Sequence, residues 1–181
     1  MLLVVAATSH ELSFAEIEGV RKLECGIGPV EAAAATARAL VELRPSAVLN
    51  IGLAGARGIE PPTIVIGTES IYNDLAAAIP VLALVRPDDE LLAIARAALP
   101  DALVARIGTS ARVGGATGVD VEAMEGFGVL RAAELAGVPA LELRAVSNDI
   151  DEPDRSKWRF DDALAALATA LPPLLEALKA R

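Results

Sequence analysis

A chain of 181 residues can bury one substantial core and leaves little room for a second full domain. A hydrophobic fraction of 54% with only 3% aromatics makes that core one of Ala, Leu and Val. The net charge of −9 argues against a nucleic-acid or anionic-membrane partner, since both need a surplus of Lys and Arg.

The elements follow in chain order. Leu2–Ala6 reads as a buried strand, and strand hydrophobicity explains residues 1–7 better than a secretory leader, because no basic residues precede the apolar run. Residues 11–19 are a short helix or loop, and 22–25 a short strand. Gly28-Pro29 opens an Ala-rich helix over 30–43 that ends at Arg44-Pro45. Residues 47–51 are the next strand, followed by a glycine-rich turn, Gly52-Leu53-Ala54-Gly55. Residues 63–72 form a long strand. The apolar run 75–85 is too short to span a bilayer and contains Pro80. A helix over 88–98 is capped by Asp88. Then come a strand over 103–107, a helix over 121–136 closed by Gly137, and a strand over 139–146. The final helix is Phe160–Lys179, broken or kinked at Pro172-Pro173. This order predicts a single three-layer α/β/α domain over 1–181, with a mixed, largely parallel central sheet.

In such sheets ligands collect where strands end. Five places qualify: residues 7–12, 25–30, 51–57, 72–74 and 147–154. Gly26-Ile27-Gly28 lies between a strand and a helix, as a dinucleotide-binding turn does. Its third glycine is missing, and Glu31 stands there instead. Cys25 reads as a lone buried thiol or a nucleophile. With a single Cys and a single His, no disulfide or ordinary zinc site is expected, and the setting is a reducing cytoplasm. Glu11, beside His10, is either a general base toward water or an exposed loop acid. Glu125 lies among Met124, Phe127, Val129 and Leu130, where a carboxylate needs partners such as sugar hydroxyls; otherwise it faces solvent. Gly126 and Gly128, poor helix formers in mid-helix, suggest close approach by something. Asn148 offers a donor and an acceptor, enough to read a 6-oxopurine, while Ser147-Asn148-Asp149 also reads as a turn.

Taken together, these pieces resemble the nucleoside phosphorylase and nucleosidase superfamily. The matching runs are residues 7–11, Cys25-Gly26-Ile27-Gly28, Asn50-Ile51-Gly52-Leu53-Ala54-Gly55, Tyr72-Asn73-Asp74, Met124-Glu125 and Arg144-Ala145-Val146-Ser147-Asn148. They cover nearly the whole chain. Within that superfamily, residues 121–160 look most like the family that cleaves futalosine in menaquinone biosynthesis. Ser147-Asn148-Asp149-Ile150, Asp154-Arg155 and Trp158 carry that narrower likeness.

The resemblance implies an N-glycosyl hydrolase that releases hypoxanthine from futalosine, with no cofactor and no metal. It implies that Glu125 binds the ribose hydroxyls with Met124 under the sugar, and that Glu11 activates water. Asn148, where adenine-cleaving relatives carry Asp, favours a 6-oxopurine, and Asp149 is a candidate acid. Gly28, Leu53, Ala54, Gly55 and Tyr72 are the remaining implied substrate contacts. Residues 109–119 hold no aromatic side chain, so Phe127, Tyr72 and Trp158 are the candidates to stack on the base. Leu53 replaces the Ser or Thr that binds phosphate in phosphorylases, and no arginine adjoins Glu11, so water is favoured over phosphate. Arg57, Arg112 and Arg155 are the candidates to meet the substrate carboxylate. The expected partner is a small purine nucleoside, the expected assembly a homodimer or larger. Two alternatives stand beside this reading: a methylthioadenosine/adenosylhomocysteine-type nucleosidase or purine phosphorylase, and a non-catalytic nucleoside-binding protein.

Overall fold

The computed structural model describes residues 1–14, 16–75 and 78–181. Ala15, inside the predicted short helix or loop 11–19, and Ala76 and Ala77, inside the apolar run 75–85, lie outside the described residues. In chain order the elements are β1 (Leu2–Ala6), β2 (Val20–Glu24), α1 (Pro29–Leu43), β3 (Ala47–Ala56), β4 (Ile64–Tyr72), β5 (Leu84–Val85), α2 (Asp89–Ala98), β6 (Leu103–Thr109), β7 (Val121–Ala123), α3 (Gly126–Leu135), β8 (Ala140–Asp149) and α4 (Phe160–Lys179). A single 3-10 turn, Arg155–Lys157, precedes α4.

Alternation along β1 shows why there are three layers. Leu2, Val4 and Ala6 pack with Leu91 of α2 and Leu167 and Leu171 of α4. Leu3 and Val5 pack with Ala39 and Leu40 of α1 and Val129 of α3. A strand buried on both faces reads as a continuous apolar run, which is how β1 looks in the sequence. The helix ends follow local rules. Asp88 accepts from the Leu91 N–H at 3.0 Å and starts α2. Arg44 takes a left-handed conformation (φ 48°) before Pro45 and ends α1, and Gly137 (φ 67°) ends α3. Pro172 and Pro173 do not break α4. Both face solvent, while Leu171, Leu174 and Leu175 hold the other face in the core. The carbonyls left without N–H partners therefore lie on the wet side, where water can meet them.

The sheet runs β2-β1-β3-β7-β6-β4-β5, with β8 paired to both β3 and β4. Parallel pairs join β1 to β2 and β3, β3 to β8, and β6 to β4 and β7. Antiparallel pairs join β3 to β7, and β4 to β5 and β8. The pairs β3–β8–β4–β6–β7–β3 form a closed ring, filled by small residues including Ala54, Ala56, Ala123, Val121 and Val146.

That ring corrects three sequence expectations. Gly52-Leu53-Ala54-Gly55 is no turn: β3 runs through it to Ala56, held by β8 on one side and β7 on the other. Residues 121–136 are not one helix. Val121–Ala123 is a strand that closes the ring between β3 and β6, and α3 begins only at Gly126. Ser147-Asn148-Asp149 belongs to β8 rather than to a turn. The misreading has a common cause: a short run of small apolar residues carries little period of its own, and its neighbours decide whether it is helix or strand.

Candidate active site

Four of the five predicted strand-end segments meet at one cavity of about 660 Å³. Its lining includes Glu11 after β1, Leu53-Ala54-Gly55 in β3, Met124-Glu125 before α3, and Asn148 in β8. The fifth segment goes elsewhere. Asn73 donates to the Thr117 carbonyl, and Asp74 accepts from Ser110 Oγ at 2.9 Å, so both brace a loop. Tyr72 does not line the cavity either; its ring stacks on Phe127 with centroids 5.2 Å apart. Asp149 is exposed, and its Oδ1 accepts from the Asp151 N–H at 2.8 Å. Asp149 therefore points away from the cavity that Asn148 lines.

Glu125 is the residue before α3, and it sits where a second helix also begins. Gly28, which precedes α1, donates its N–H to Glu125 Oε1 at 3.1 Å. A helix N-terminus favours negative charge, so the anion that Gly26-Ile27-Gly28 faces is the chain's own carboxylate. Arg144 Nη1 donates to Glu125 Oε2 at 3.2 Å. A carboxylate has about four acceptor positions, so these two bonds leave Glu125 able to take two more from a ligand. Burial raises the Glu125 pKa, the Arg144 charge opposes that shift, and the nearby Glu11 and Glu142 charges add to it.

Glu11 is oriented rather than loose. Its Oε2 accepts from the Thr8 N–H and hydroxyl, both at 2.9 Å, and its Oε1 accepts from the Leu53 N–H at 3.0 Å. Three acceptor positions are taken and one is left for a ligand or water. The Leu53 amide is thus committed to Glu11. Gly52 lies between Glu11 and Arg144: a Cβ there would stand 2.7 Å from Glu11 Oε1 and collide with Arg144 Nη1. Only glycine lets both groups close over this strand.

Glu142 was not singled out from the sequence and Arg144 entered only as the start of a matching run, without a role; the two underlie the site. Successive even positions on β8 turn both toward α3. Arg144 is fully buried; its Nε donates to Glu142 Oε1 at 2.9 Å and its Nη2 to Asn50 Oδ1 at 2.7 Å. Ser70 Oγ donates to the other Glu142 oxygen. Burial alone would drive Arg144 toward its neutral form, but the Glu142, Glu125 and Glu11 charges outweigh it and raise its pKa. This places an arginine close to Glu11 after all, on the far side of Gly52 and already engaged. Gly126 makes room for Glu142, whose carboxylate occupies the place a Cβ would take, and Gly128 lets α3 approach the backbone of α1 at Pro29 and Ala33. Both glycines lie in the first turn of α3, not in mid-helix. The signal for the network was the spacing of two charged residues, Glu142 and Arg144, in an otherwise apolar strand.

At the other end of the cavity, Asn148 Oδ1 accepts from Ser147 Oγ at 2.8 Å and its Nδ2 donates to the Asp149 carbonyl at 2.9 Å. One donor and one acceptor position of the amide stay free. Glu122, also missed, accepts from the Gly114 N–H at 2.6 Å and from the Ala116 N–H, anchoring the loop that brings Val113 to the cavity. Of the three candidate stacking rings only Trp158 lines the cavity, joined by Phe160. Cys25 is buried, and burial together with the Glu125 charge pushes its thiol up to about 12, which removes it as a nucleophile at neutral pH. Among the described residues no three His, Cys, Asp or Glu side chains cluster as a metal site requires, and no helix is long and apolar enough to cross a membrane.

A cavity at strand ends with a two-carboxylate floor belongs to a known class. The chain is a member of the phosphorylase superfamily, whose model matches residues 6–115. Within it the chain is homologous to futalosine hydrolases. It is 38% identical to the futalosine hydrolase of Streptomyces coelicolor over 197 aligned positions, covering 90% of this chain and 82% of that protein. With the futalosine hydrolase of Thermus thermophilus it shares 45% identity over 58 positions, 32% of this chain and 26% of that one. A solved Helicobacter pylori futalosine hydrolase mutant has the same fold, with a TM-score of 0.83 at 17% identity, covering 99% of this chain and 98% of that chain. So does the Streptococcus pneumoniae MTA/SAH nucleosidase solved with 8-aminoadenine, with a TM-score of 0.83 at 22% identity and 97% and 99% coverage.

Proposed function

We propose that this chain hydrolyses the N-glycosidic bond of futalosine, releasing hypoxanthine and dehypoxanthine futalosine in menaquinone biosynthesis. The observation that carries the reading is the paired carboxylates of one cavity, Glu125 with two acceptor positions free and Glu11 with one, and the Asn148 amide in the same lining. The homology to futalosine hydrolases supports the substrate.

The chemistry follows from what these groups can do. The C1′–N9 bond breaks with its electron pair going to the purine, leaving an oxocarbenium-like sugar. Glu125 accepts the ribose hydroxyls and stabilises the developing cation electrostatically, with Met124 beneath the ring. Glu11 takes a proton from water as the water oxygen bonds to C1′. The purine takes up a proton at N7 from solvent water as it leaves; Asn148 accepts from that N–H and donates to O6. Leu53, Ala54 and Gly55 wall the site. Gly28 acts through Glu125, and neither Tyr72 nor Asp149 reaches the cavity, so Asn148 carries the base contact. The enzyme works without a cofactor, in the cytoplasm, as a homodimer or larger assembly. Exposed Ile79, Val81 and Leu82 support self-association, and light scattering in solution gives the mass that decides it.

Incubation with futalosine in phosphate-free buffer is expected to release hypoxanthine. Release of adenine from methylthioadenosine with no hypoxanthine from futalosine overturns the substrate, and strict dependence on phosphate overturns hydrolysis. The nucleosidase alternative turns on one side chain. Asn148→Asp is expected to lower kcat/KM for futalosine by about tenfold or more, because a carboxylate cannot donate to O6, and to raise adenine release from methylthioadenosine. Equal effects on both substrates would remove Asn148 as the selecting residue.

The Glu125 pKa sets the acid side of the pH profile. The carboxylate must be ionised to act, and burial raises its pKa. Log kcat/KM is therefore expected to fall with unit slope as pH drops through a value above the ordinary glutamate range. An acid limb within or below that range counts against Glu125 as the controlling group. The sign for stability is opposite. A carboxyl whose folded pKa is raised favours the folded state at low pH, and that contribution is lost as pH rises through the folded pKa. Glu125 thus costs stability in the ionised form that catalysis requires.

A further inference from the structure

We propose that Arg155, with the Trp158–Phe160 ring pair, forms a subsite for an anionic, ring-bearing substituent on the nucleoside. The inference rests on the futalosine reading, whose substrate carries a carboxylate away from its purine and ribose.

Charge sets Arg155 apart. Glu11, Glu122, Glu125 and Asp161 line the cavity, and among the described residues Arg155 is the one Lys or Arg that does. An anionic substituent meets like charge at those four carboxylates and an opposite charge at Arg155. Arg155 is also uncommitted. In the same segment Lys157 pairs with Glu152 at 2.9 Å and Arg159 with Asp162 at 2.7 Å. The Arg155 guanidinium makes no ion pair or side-chain hydrogen bond among the described residues. The other two candidate cations are placed elsewhere: Arg57 pairs with Asp151 at 3.1 Å, and Arg112 is exposed and outside the lining.

The arm that carries Arg155 is built rather than loose. Asp154 Oδ1 accepts from the Ser156 N–H at 3.0 Å and caps the turn that carries Arg155. Trp158 Nε1 donates to the Glu152 carbonyl at 3.1 Å and fixes its ring. The Arg155 guanidinium lies 5.4 Å from the centre of that ring, and the Phe160 ring lies 5.5 Å from it at 57°. A planar guanidinium held against an aromatic face leaves its fork of N–H groups for a carboxylate, and the two rings offer an apolar surface for an aryl group.

Trp158 is the one tryptophan of the chain, so its fluorescence reports occupancy of the subsite. The experiment compares wild type, Arg155→Gln and Arg155→Lys with futalosine and with inosine, which shares the 6-oxopurine and ribose but lacks the substituent. Arg155→Gln is expected to raise the futalosine KM, and the Kd from Trp158 fluorescence, about tenfold or more, with kcat within about twofold. Inosine constants should not move, and Lys should restore part of the loss. Unchanged futalosine constants in Arg155→Gln, or equal losses for futalosine and inosine, overturn the subsite. So does the absence of any fluorescence response to futalosine in wild type. Saturable futalosine binding weakened by Arg155→Gln, without hypoxanthine release by wild type, supports the subsite and overturns only the catalytic reading.

Discussion

Glu125→Gln is expected to lower kcat/KM for futalosine by about 10³-fold or more, equivalent to ~4 kcal/mol of transition-state stabilisation. The size follows from where the charge sits. Glu125 is 4% exposed, so water screens it little, and its free acceptor positions face the cavity. A positive sugar develops there only during bond cleavage, so losing the charge should lower kcat more than it raises KM. Gln keeps the shape, but its one oxygen can accept from the Gly28 N–H or from Arg144 and not from both, so the melting transition must be compared to separate loss of charge from loss of fold. Hypoxanthine release measured on a variant with an unaltered melting transition tests it. A loss below about tenfold would mean that Glu125 does not hold the sugar.

Glu11→Gln is expected to lower kcat by about 10²–10⁴-fold while the nucleoside still binds, with KM close to wild type. A Gln side chain has the same shape and one oxygen that can accept from the Leu53 N–H or from Thr8, but it cannot take a proton from water. Single-turnover measurement with excess enzyme isolates this step from product release. Unchanged turnover would show that water is activated elsewhere. The two substitutions also differ in kind: the Glu125 change removes stabilisation of the sugar cation, whereas the Glu11 change removes proton transfer. Residues that act in one transition state are not additive, so the double variant should lose less than the product of the two losses.

Much of the architecture was legible because burial on both faces leaves plain apolar runs, as in β1, and because caps such as Asp88 and Arg44-Pro45 announce helix ends locally. The segments misread were those whose conformation comes from distant partners. Gly52-Leu53-Ala54-Gly55 carries turn residues, yet it is strand because β8 and β7 flank it, and two of its glycines admit Arg144 with Glu11 and Asn148 with Ile150. Residues 121–123 look helical in isolation and are strand because the ring must close. Among the candidate site residues, Glu11 and Asn148 were legible as polar groups at strand ends and Glu125 as a carboxylate among apolar residues of a predicted helix, and all three line the cavity. Tyr72 and Asp149 also stand at strand ends, and their side chains turn elsewhere.

What the sequence determined by itself is the order of strands and helices, the chemical types available at their ends, and the family they resemble. Periodicity encodes which side of an element is buried, and that information is local. What only the tertiary structure decided is which charges meet. Arg144 finds Asn50 from 94 positions away and Glu125 from 19 positions away, and that meeting makes its burial tolerable. Arg155, one of three equivalent candidates in the sequence, is set apart because the fold pairs Arg57 with Asp151 and leaves Arg155 uncommitted at the cavity. A charge acquires its role from its counter-charges and its exposure, and both are properties of the folded chain.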